Sequence, residues 1–423
     1  MNKSETLLDG MRSVALFFQD LDTPYVIGKR EIHSLLHILS EVKDFRDPIK
    51  TIYRLENLLA ICFILAMKGE LQSFYYASMY VKYKEEEFVR LGLIEKGKAP
   101  SHDTLRRIFG HLDANSLRDA FLDKIREFLE RLVRLDAQSR GKKRILSGDG
   151  KTFNGSGRGN AKNHNVFNIY SPSNAICLSS VPLTDKESEI FEFQRMLPKF
   201  DLSHTVVTAD AMHCQRKTAE IIIGHKGGFL FKVKSNQEQL LEEIASAFEK
   251  KRDIGQRSSL SHNNCDYEFI ALRRSYVGCD WPGQKTYVRM ISYKRKAQKD
   301  FNPEPQYFIT SETNTQLIAE AADNRWEIED GLHRFKDEVL LEDECTFMDK
   351  NAVKVMATIN NTVYSIYRLA CAIRGDSSMT ETKIRFEDDP LSLISTVLPL
   401  LQGKNLSALI RERMRGRPRK TRN

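Results

Sequence analysis

Apolar and polar positions follow two periods along this chain, and the switch between them divides it. From residue 32 to about 135 the period is helical. HSLLHILSEV, IYRLENLLAICFILAMKG and ANSLRDAFLDKIREFLERLVRL all carry apolar residues three and four apart. Between them, APSHDTLRRIFGHL starts a short helix after a turn, with Ser101 as N-cap and Asp103, Arg106 and Arg107 facing outward. It reads equally as a recognition helix of helix-turn-helix type, with Arg106 and Arg107 on DNA, or as an ordinary amphipathic bundle helix. The polar, basic SRGKKR at 139–144 marks a boundary.

Beyond it the pattern turns to strands. RILSGDGKTF places a short apolar strand before Asp149, with Gly148 and Gly150 on either side. AKNHNVFNIYSPSNAICLSSVPL predicts two strands joined at SPSN. A helix ended by Pro198 follows, then the strand HTVVTAD ending on Asp210, a helix to Gly224 or Gly227, the strand FLFKVKSNQ and the helix EQLLEEIASAFEKK. This βββαβαβ order predicts an α/β core with a mixed sheet. YEFIALRRSYV, TYVRMISYKRKA and PQYFITS then predict a small β-rich insertion. After it come a helix over 323–339, a second long helix (KNAVKVMATINNTVYSIYRLACAI), a polar linker (DSSMTETKIRFEDDP), a short apolar helix and a basic tail. The implied domains are a helical 1–138, a core in two parts at 143–256 and 312–375 around the insertion 257–311, and a C-terminal 376–423.

The 323–339 helix, DNRWEIEDGLHRFKDEV, organises the rest. On a wheel of ~100° per residue counted from Arg325, Glu329 falls at ~40° and Lys336 at ~20°, beside an apolar stripe of Ile328, Leu332, Phe335 and Val339. One carboxylate is thus set at the edge of the buried face between two cations. Taken alone, an intrahelical Arg325–Glu329 pair is the simpler explanation. Trp326 lies off the stripe, placed either to pack on a neighbouring element or to stack on a flipped base.

Composition narrows the class. The 423 residues suffice for two or three domains with real cores. The longest apolar run, LLAICFILAM, is too short to span a bilayer, and MNKSETLLDGM carries no signal-peptide pattern. Seven scattered cysteines without a CxxC pair predict reduced thiols in a cytosol and no zinc knuckle. Net charge is +8, and the last twenty residues hold eight Lys/Arg against one Glu, so the basic excess is a tail suited to a polyanion. Within it RGRPRK, with Arg415 and Arg417, looks like an AT-hook for an A·T-rich minor groove, or serves generic phosphate attraction.

Asp149 and Asp210 each close an apolar strand of the predicted core, where ligands of such sheets gather. With Glu329 on a packed helix they make a set of three hard oxygen donors, suited to Mg²⁺ with Mn²⁺ as substitute, and to two-ion phosphodiester chemistry. GSGRGN fits neither the P-loop nor the dinucleotide pattern. Lys151, Lys234 and Asn236 sit just beyond strand ends as candidate phosphate contacts or ordinary surface residues. His213 and Gln215 border the site or serve as structural caps.

The motifs FRDPI, APSHDTLRRIF, GDGKTFNGS, VVTADAMHCQ, FKVKSNQ, RWEIEDGLH and LLEDE occur in this order. In them the chain resembles the bacterial DDE insertion-sequence transposases of the H-repeat-associated group, with their DDE-associated N-terminal domain. The resemblance implies an RNase H-like core interrupted by a β-rich stretch, with Asp149, Asp210 and Glu329 as the catalytic and metal-binding carboxylates. It implies terminal-inverted-repeat and target DNA as partners, Mg²⁺-dependent strand cleavage and transfer, and a homodimer or higher multimer in the bacterial cytoplasm on the nucleoid. Arg325, Glu329 and Lys336 match the superfamily's tyrosine–arginine–glutamate–lysine signature, with Arg325 and Lys336 holding DNA phosphates. Its tyrosine position is Ala322. The alternatives are a transposase-derived DNA-binding protein that no longer cuts, and an RNase H-fold nuclease without strand transfer.

Overall fold

The computed structural model describes residues 29–120, 143–157, 162–172, 176–183, 188–250, 255–262, 265–274, 281–294, 304–374, 376–387 and 389–401. The basic tail with Arg415 and Arg417 and most of the helix read over 114–135 lie outside these residues. The chain forms two compact units: 133–151 with 165–334, and 4–132 with 152–164 and 335–423.

The first unit is built on a nine-stranded mixed sheet. Its strands are β1 (Arg144–Phe153), β2 (His164–Ser171), β3 (Ile176–Leu183), β4 (Thr205–Ala209), β5 (Gly228–Val233), β6 (Gln256–His262), β7 (Cys265–Arg273), β8 (Thr286–Lys294) and β9 (Gln306–Thr310), in the order β3-β2-β1-β4-β5-β9-β8-β7-β6. β4 pairs in parallel with both β1 and β5, while β5–β9 and the ladder from β9 to β6 are antiparallel. The β-rich stretch therefore extends the core sheet through β9. Helices Ser188–Met196, Arg216–Gly224 and Glu238–Lys250 link the core strands, as the alternating pattern predicts. β4 is buried along its whole length, which explains why HTVVTAD reads as a continuous apolar run. Helix Thr315–Asn324 is capped by the Asn314 side chain, which accepts from the N–H groups of Gln316 and Leu317. It packs Ile318, Ala319, Ala321 and Ala322 onto Ile145, Val206, Leu230, Val288 and Phe308.

Two readings of the sequence are corrected here. β1 does not end at Asp149 but runs on to Phe153. The helix over 323–339 is not one α-helix: α-helix ends at Asn324, residues Ile328–His333 form a π-helix, and α-helix resumes at Arg334–Glu338. The Arg334 N–H donates to the Glu329 carbonyl, an i→i+5 bond. With this wider turn, a 100° step no longer carries Glu329 into register with Lys336.

The second unit is helical. Leu55–Lys68 is buried from Leu58 through Met67, and Lys350–Arg374 packs against it and against His102–His111. Phe347 stacks on Phe74 at 3.9 Å between ring centroids and meets Phe109 edge-on. The polar stretch expected as a linker contains a helix, Met379–Phe386, whose N-cap Ser378 accepts from the Glu381 N–H. S-x-x-E there is a capping box whose apolar face is Met379 and Phe386. No helix among the described residues is long and apolar enough to cross a membrane.

Candidate active site

The β1–β4 register places the first two carboxylates. Gly148 is the last residue of β1 paired to β4, opposite Ala209. The next residue of each strand is the acid, so Asp149 and Asp210 leave the parallel ladder side by side. The π-turn brings the third. Arg325 Nη1 lies 3.9 Å from Asp210 Oδ1 and 3.9 Å from Glu329 Oε1, spanning the two carboxylates without a tight bond to either. Lys234 Nζ stands 3.4 Å from Asp210 Oδ1. Asp149, Asp210 and Glu329 thus lie in one neighbourhood.

Their side chains are 24%, 40% and 55% exposed, a gradient that sets their electrostatics. Burial, reinforced by the negative charges of Glu329, Glu189 and Asp210, pushes the Asp149 carboxyl up to about 7. Burial also works against ionisation of Asp210, but the Ala211 N–H and the charges of Lys234 and Arg325 outweigh it and hold that carboxyl below its usual value. Lys232, on β5, is pushed down to about 8 by burial and by the neighbouring Arg325 and Lys234.

Asp149 is steadied from the π-turn. His333 Nδ1 is 3.5 Å from Asp149 Oδ2, and the Asn168 amide on β2 lies 3.3 Å from His333 Nε2. An Nδ1–H tautomer, with Asn168 donating to Nε2, satisfies both contacts without a charged imidazole. On the other side, Gly148 and Gly150 leave room for the helix Ser188–Met196. A Cβ on Gly148 would lie 2.8 Å from Phe193, and one on Gly150 would lie 2.6 Å from Glu189 Oε2. Glu189 Oε1 accepts from His213 Nε2 at 3.0 Å, and His213 is fully buried.

The other sequence candidates divide. Asn236 donates to the Ala211 carbonyl and Gln215 to that of Met212, so both brace the loop after Asp210. Trp326 lies tilted against Tyr267 at 5.1 Å between ring centroids and packs on the helix–sheet core, with the Arg325 guanidinium 5.5 Å from its centroid. Lys151 is buried, 7% exposed, and engaged with its surroundings. In the helical unit, Arg106 and Arg107 are exposed, Arg106 pairing with Asp103 at 2.8 Å, while Leu105, Ile108 and Phe109 are buried. Lys336 is corrected: its ammonium is fully buried, 3.0 Å from Glu342 Oε2 and 3.1 Å from Asn361 Oδ1, leaving no face for a phosphate. Sequence reasoning missed Glu189, Lys232, Asn168 and His333, all joined to the carboxylates only by folding. The one usable signal was alternation: Lys232 and Lys234 share a face of FLFKVK.

The donor set fits a hard divalent cation. It offers carboxylate oxygens only, one of them pushed up to about 7 by burial and then by neighbouring negative charge. Among the described residues no three His, Cys, Asp or Glu groups close on a common point. A hard divalent cation is in general held by one or two carboxylates and keeps water or substrate oxygens. The buried Arg325 Nε has no hydrogen-bond partner among the described residues.

The chain matches the model described as "Transposase DDE domain" over residues 131–366 and that described as "DDE_Tnp_1-associated" over 36–124. It is 25% identical to the "H repeat-associated putative transposase YhhI" of Escherichia coli (strain K12), over 79% of this chain and 90% of that one. It is also 25% identical to the protein YbfL of the same strain, with the same two coverages. A solved piggyBac transposase synaptic complex with hairpin DNA shows a distant likeness, with 14% identity and a TM-score of 0.43 over 99% of this chain and 86% of that one, and nothing below rests on it. Domains of this kind generally use divalent metal ions. With one family model spanning more than half of its length, this chain belongs to the DDE transposase family, enzymes that cleave and transfer DNA strands.

Proposed function

We propose that the protein binds the terminal inverted repeats of an insertion sequence, cleaves them with Mg²⁺ and joins the freed 3′-hydroxyls to target DNA. The observation that carries this reading is that Asp149 and Asp210 follow side by side the last pair of the β1–β4 ladder, with Glu329 joined to Asp210 through Arg325. β1–β5 serve as the RNase H-like core, and β6–β8 are the insertion that separates it in sequence from Glu329. The helical 1–138 and the tail with Arg415 and Arg417 supply further DNA contacts, and a homodimer or higher multimer holds paired ends.

Asp149, Asp210 and Glu329 would hold Mg²⁺, or Mn²⁺ in its place, which when bound would supply charge stabilisation for attack on a phosphodiester. The chain's own part is placement. The Arg325 guanidinium and the Lys232 and Lys234 ammonium groups offer donors for phosphate oxygens around the carboxylates. His333 and Asn168 fix the orientation of Asp149. The closed Lys336–Glu342 pair supports the helical unit and takes no part in end binding. Three intact carboxylates speak against a protein that only binds DNA, even with Ala322 at the tyrosine position. The test is joining of a pre-cut 3′-hydroxyl repeat end to target DNA, with Glu329→Gln beside wild type. Joining by wild type alone, with repeat binding retained in the variant, is expected. Equal joining by both would remove Glu329 from the site, and cleavage without joining would reassign the protein as a nuclease.

A further inference from the structure

Within the sheet unit, a cavity of about 460 Å³ is lined chiefly by Gln194, Gln215, Arg216, Lys217, Gln237 and Trp281. Segments distant in sequence build it, and each is tied down. Gln215 donates to the Met212 carbonyl and Gln237 to that of Cys214, so both amides brace the loop between Asp210 and helix Arg216–Gly224. Gln194 donates to Thr218 Oγ1 at 3.0 Å. The β-rich stretch supplies Trp281, 3% exposed, in a turn closed by the Gln284 N–H donating to the Trp281 carbonyl. Gly283 in this turn has φ +66°, and a Cβ on it would lie 2.5 Å from Ile223, so the turn seats directly on helix Arg216–Gly224.

Charge sets this cavity apart. Arg216 and Lys217 are exposed, and among the described residues no carboxylate stands within ion-pair distance of either. No acidic side chain lines the walls. Other exposed guanidinium groups of this unit are matched: Arg195 holds Glu192 at 2.6 Å, and Arg257 holds Glu268 at 3.0 Å. The Arg216 guanidinium lies instead over the Trp281 ring, 5.3 Å from its centroid, a contact that fixes the group without neutralising it. Two uncompensated cations among side-chain amides suit a phosphate, and a cavity of this size also takes part of the attached sugar or base. Its distance from the catalytic cluster is bounded. Gln215 follows Asp210 by five residues, a span of at most about 18 Å, or about five steps of duplex rise.

We propose that this cavity binds a backbone phosphate of the DNA strand engaged at the carboxylates, with Arg216 and Lys217 as its donors and Trp281 as the platform under Arg216. This rests on the DNA-cleavage reading above and deepens it. It gives the β-rich stretch a part in holding DNA, through the one turn that it seats beside the loop after Asp210.

The experiment uses the full-length protein and duplex DNA bearing the terminal repeat. Single backbone phosphates within about five nucleotides of the cut are replaced, one at a time, by neutral methylphosphonates. Fluorescence anisotropy gives the affinities of wild type and Arg216→Gln, beside thermal melts. The expected result is that one or two replacements weaken wild-type binding by about 10-fold and that Arg216→Gln weakens binding to unmodified DNA by a similar factor. At those positions the two losses do not add, which marks a direct contact. Additive losses at every position, in a folded variant, would overturn the proposal while leaving repeat binding intact. A wild-type protein that binds no repeat DNA would overturn both the proposal and the reading it rests on. Calorimetry with inorganic phosphate and thymidine monophosphate tests a free ligand. Saturable binding lost in Arg216→Gln, together with additive losses on DNA, would reassign the cavity to a small phosphorylated molecule. If Arg216→Gln fails to fold, Lys217→Gln decides by the same cycle.

Discussion

Glu329 and Lys336 lie in one short run of sequence, yet the charged clusters to which they belong follow opposite plans. In the sheet unit, Asp149, Asp210 and Glu329 keep 24%, 40% and 55% of their side chains exposed, the cations beside Asp210 and Glu329 stand at 3.4 to 3.9 Å, and Asp149 faces the His333 imidazole at 3.5 Å. In the helical unit, Lys336 and Glu342 are fully buried at 3.0 Å, with Asn361 on the ammonium and Asn360 on the carboxylate. The second cluster is complete in itself, as a buried pair must be. The first carries surplus negative charge that its protein partners leave uncompensated, the condition of a site awaiting a cation. Matching spacing in a sequence therefore does not make two charges functionally equal; enclosure separates scaffold from chemistry.

The sharpest way to break this contrast is to exchange the expected phenotypes. Glu329→Gln should lower cleavage on the order of 10³-fold or more, about 4 kcal/mol of transition-state stabilisation, with an unchanged melting curve. Lys336→Met should do the reverse, costing about 3–5 kcal/mol of stability because Glu342 is left buried and unpaired. Adding Glu342→Leu should restore most of that loss, since an apolar pair has no charge to desolvate. Urea melts of the single and double variants check this; a stable Lys336→Met protein with weakened end binding would return Lys336 to the DNA.

Asp149 sharpens the comparison further. Its folded-state value, about 7, lies above the unfolded 3.8, so between them the folded protein binds the extra proton. Stability should accordingly fall as pH rises through this window in metal-free protein. Asp149→Asn should raise stability above pH ~7 by about 1–4 kcal/mol and change little below pH ~4. Melting curves of the two proteins that run parallel across pH would remove the repulsive cluster. The smallest effect concerns the tail. Deleting 411–423 should weaken DNA binding modestly and flatten its dependence on salt, because fewer phosphates are neutralised. Identical salt slopes would free the tail from any role on DNA.

The sequence made Asp149 and Asp210 legible because each follows a short, mostly apolar strand segment before a glycine-flanked or helical one. The α/β alternation and the buried helices were legible for the same reason: their periods are local. Lys336 was misread because the wheel assumes a uniform step, and a π-turn breaks it where Glu329 sits. The helix at 379–386 was hidden by its polar composition, although Ser378 and Glu381 spelled its cap. Glu189, His213 and Asn168 acquire meaning only through β1–β4 and β1–β2 neighbourhood, which no local period encodes. Arg106 and Arg107 remain as the spacing had them, outward on a helix that is also part of the bundle.

The central claim is that the cluster around Asp149 cuts DNA with a divalent cation. It is tested most directly by nicking of DNA bearing the flanking terminal repeats, with Mg²⁺ or Mn²⁺, by wild type and Asp149→Asn. Cation-dependent nicks at the repeat ends, absent with Asp149→Asn and with chelator, are the predicted result. Tight repeat binding without nicking by wild type, or equal nicking by both proteins, would contradict it.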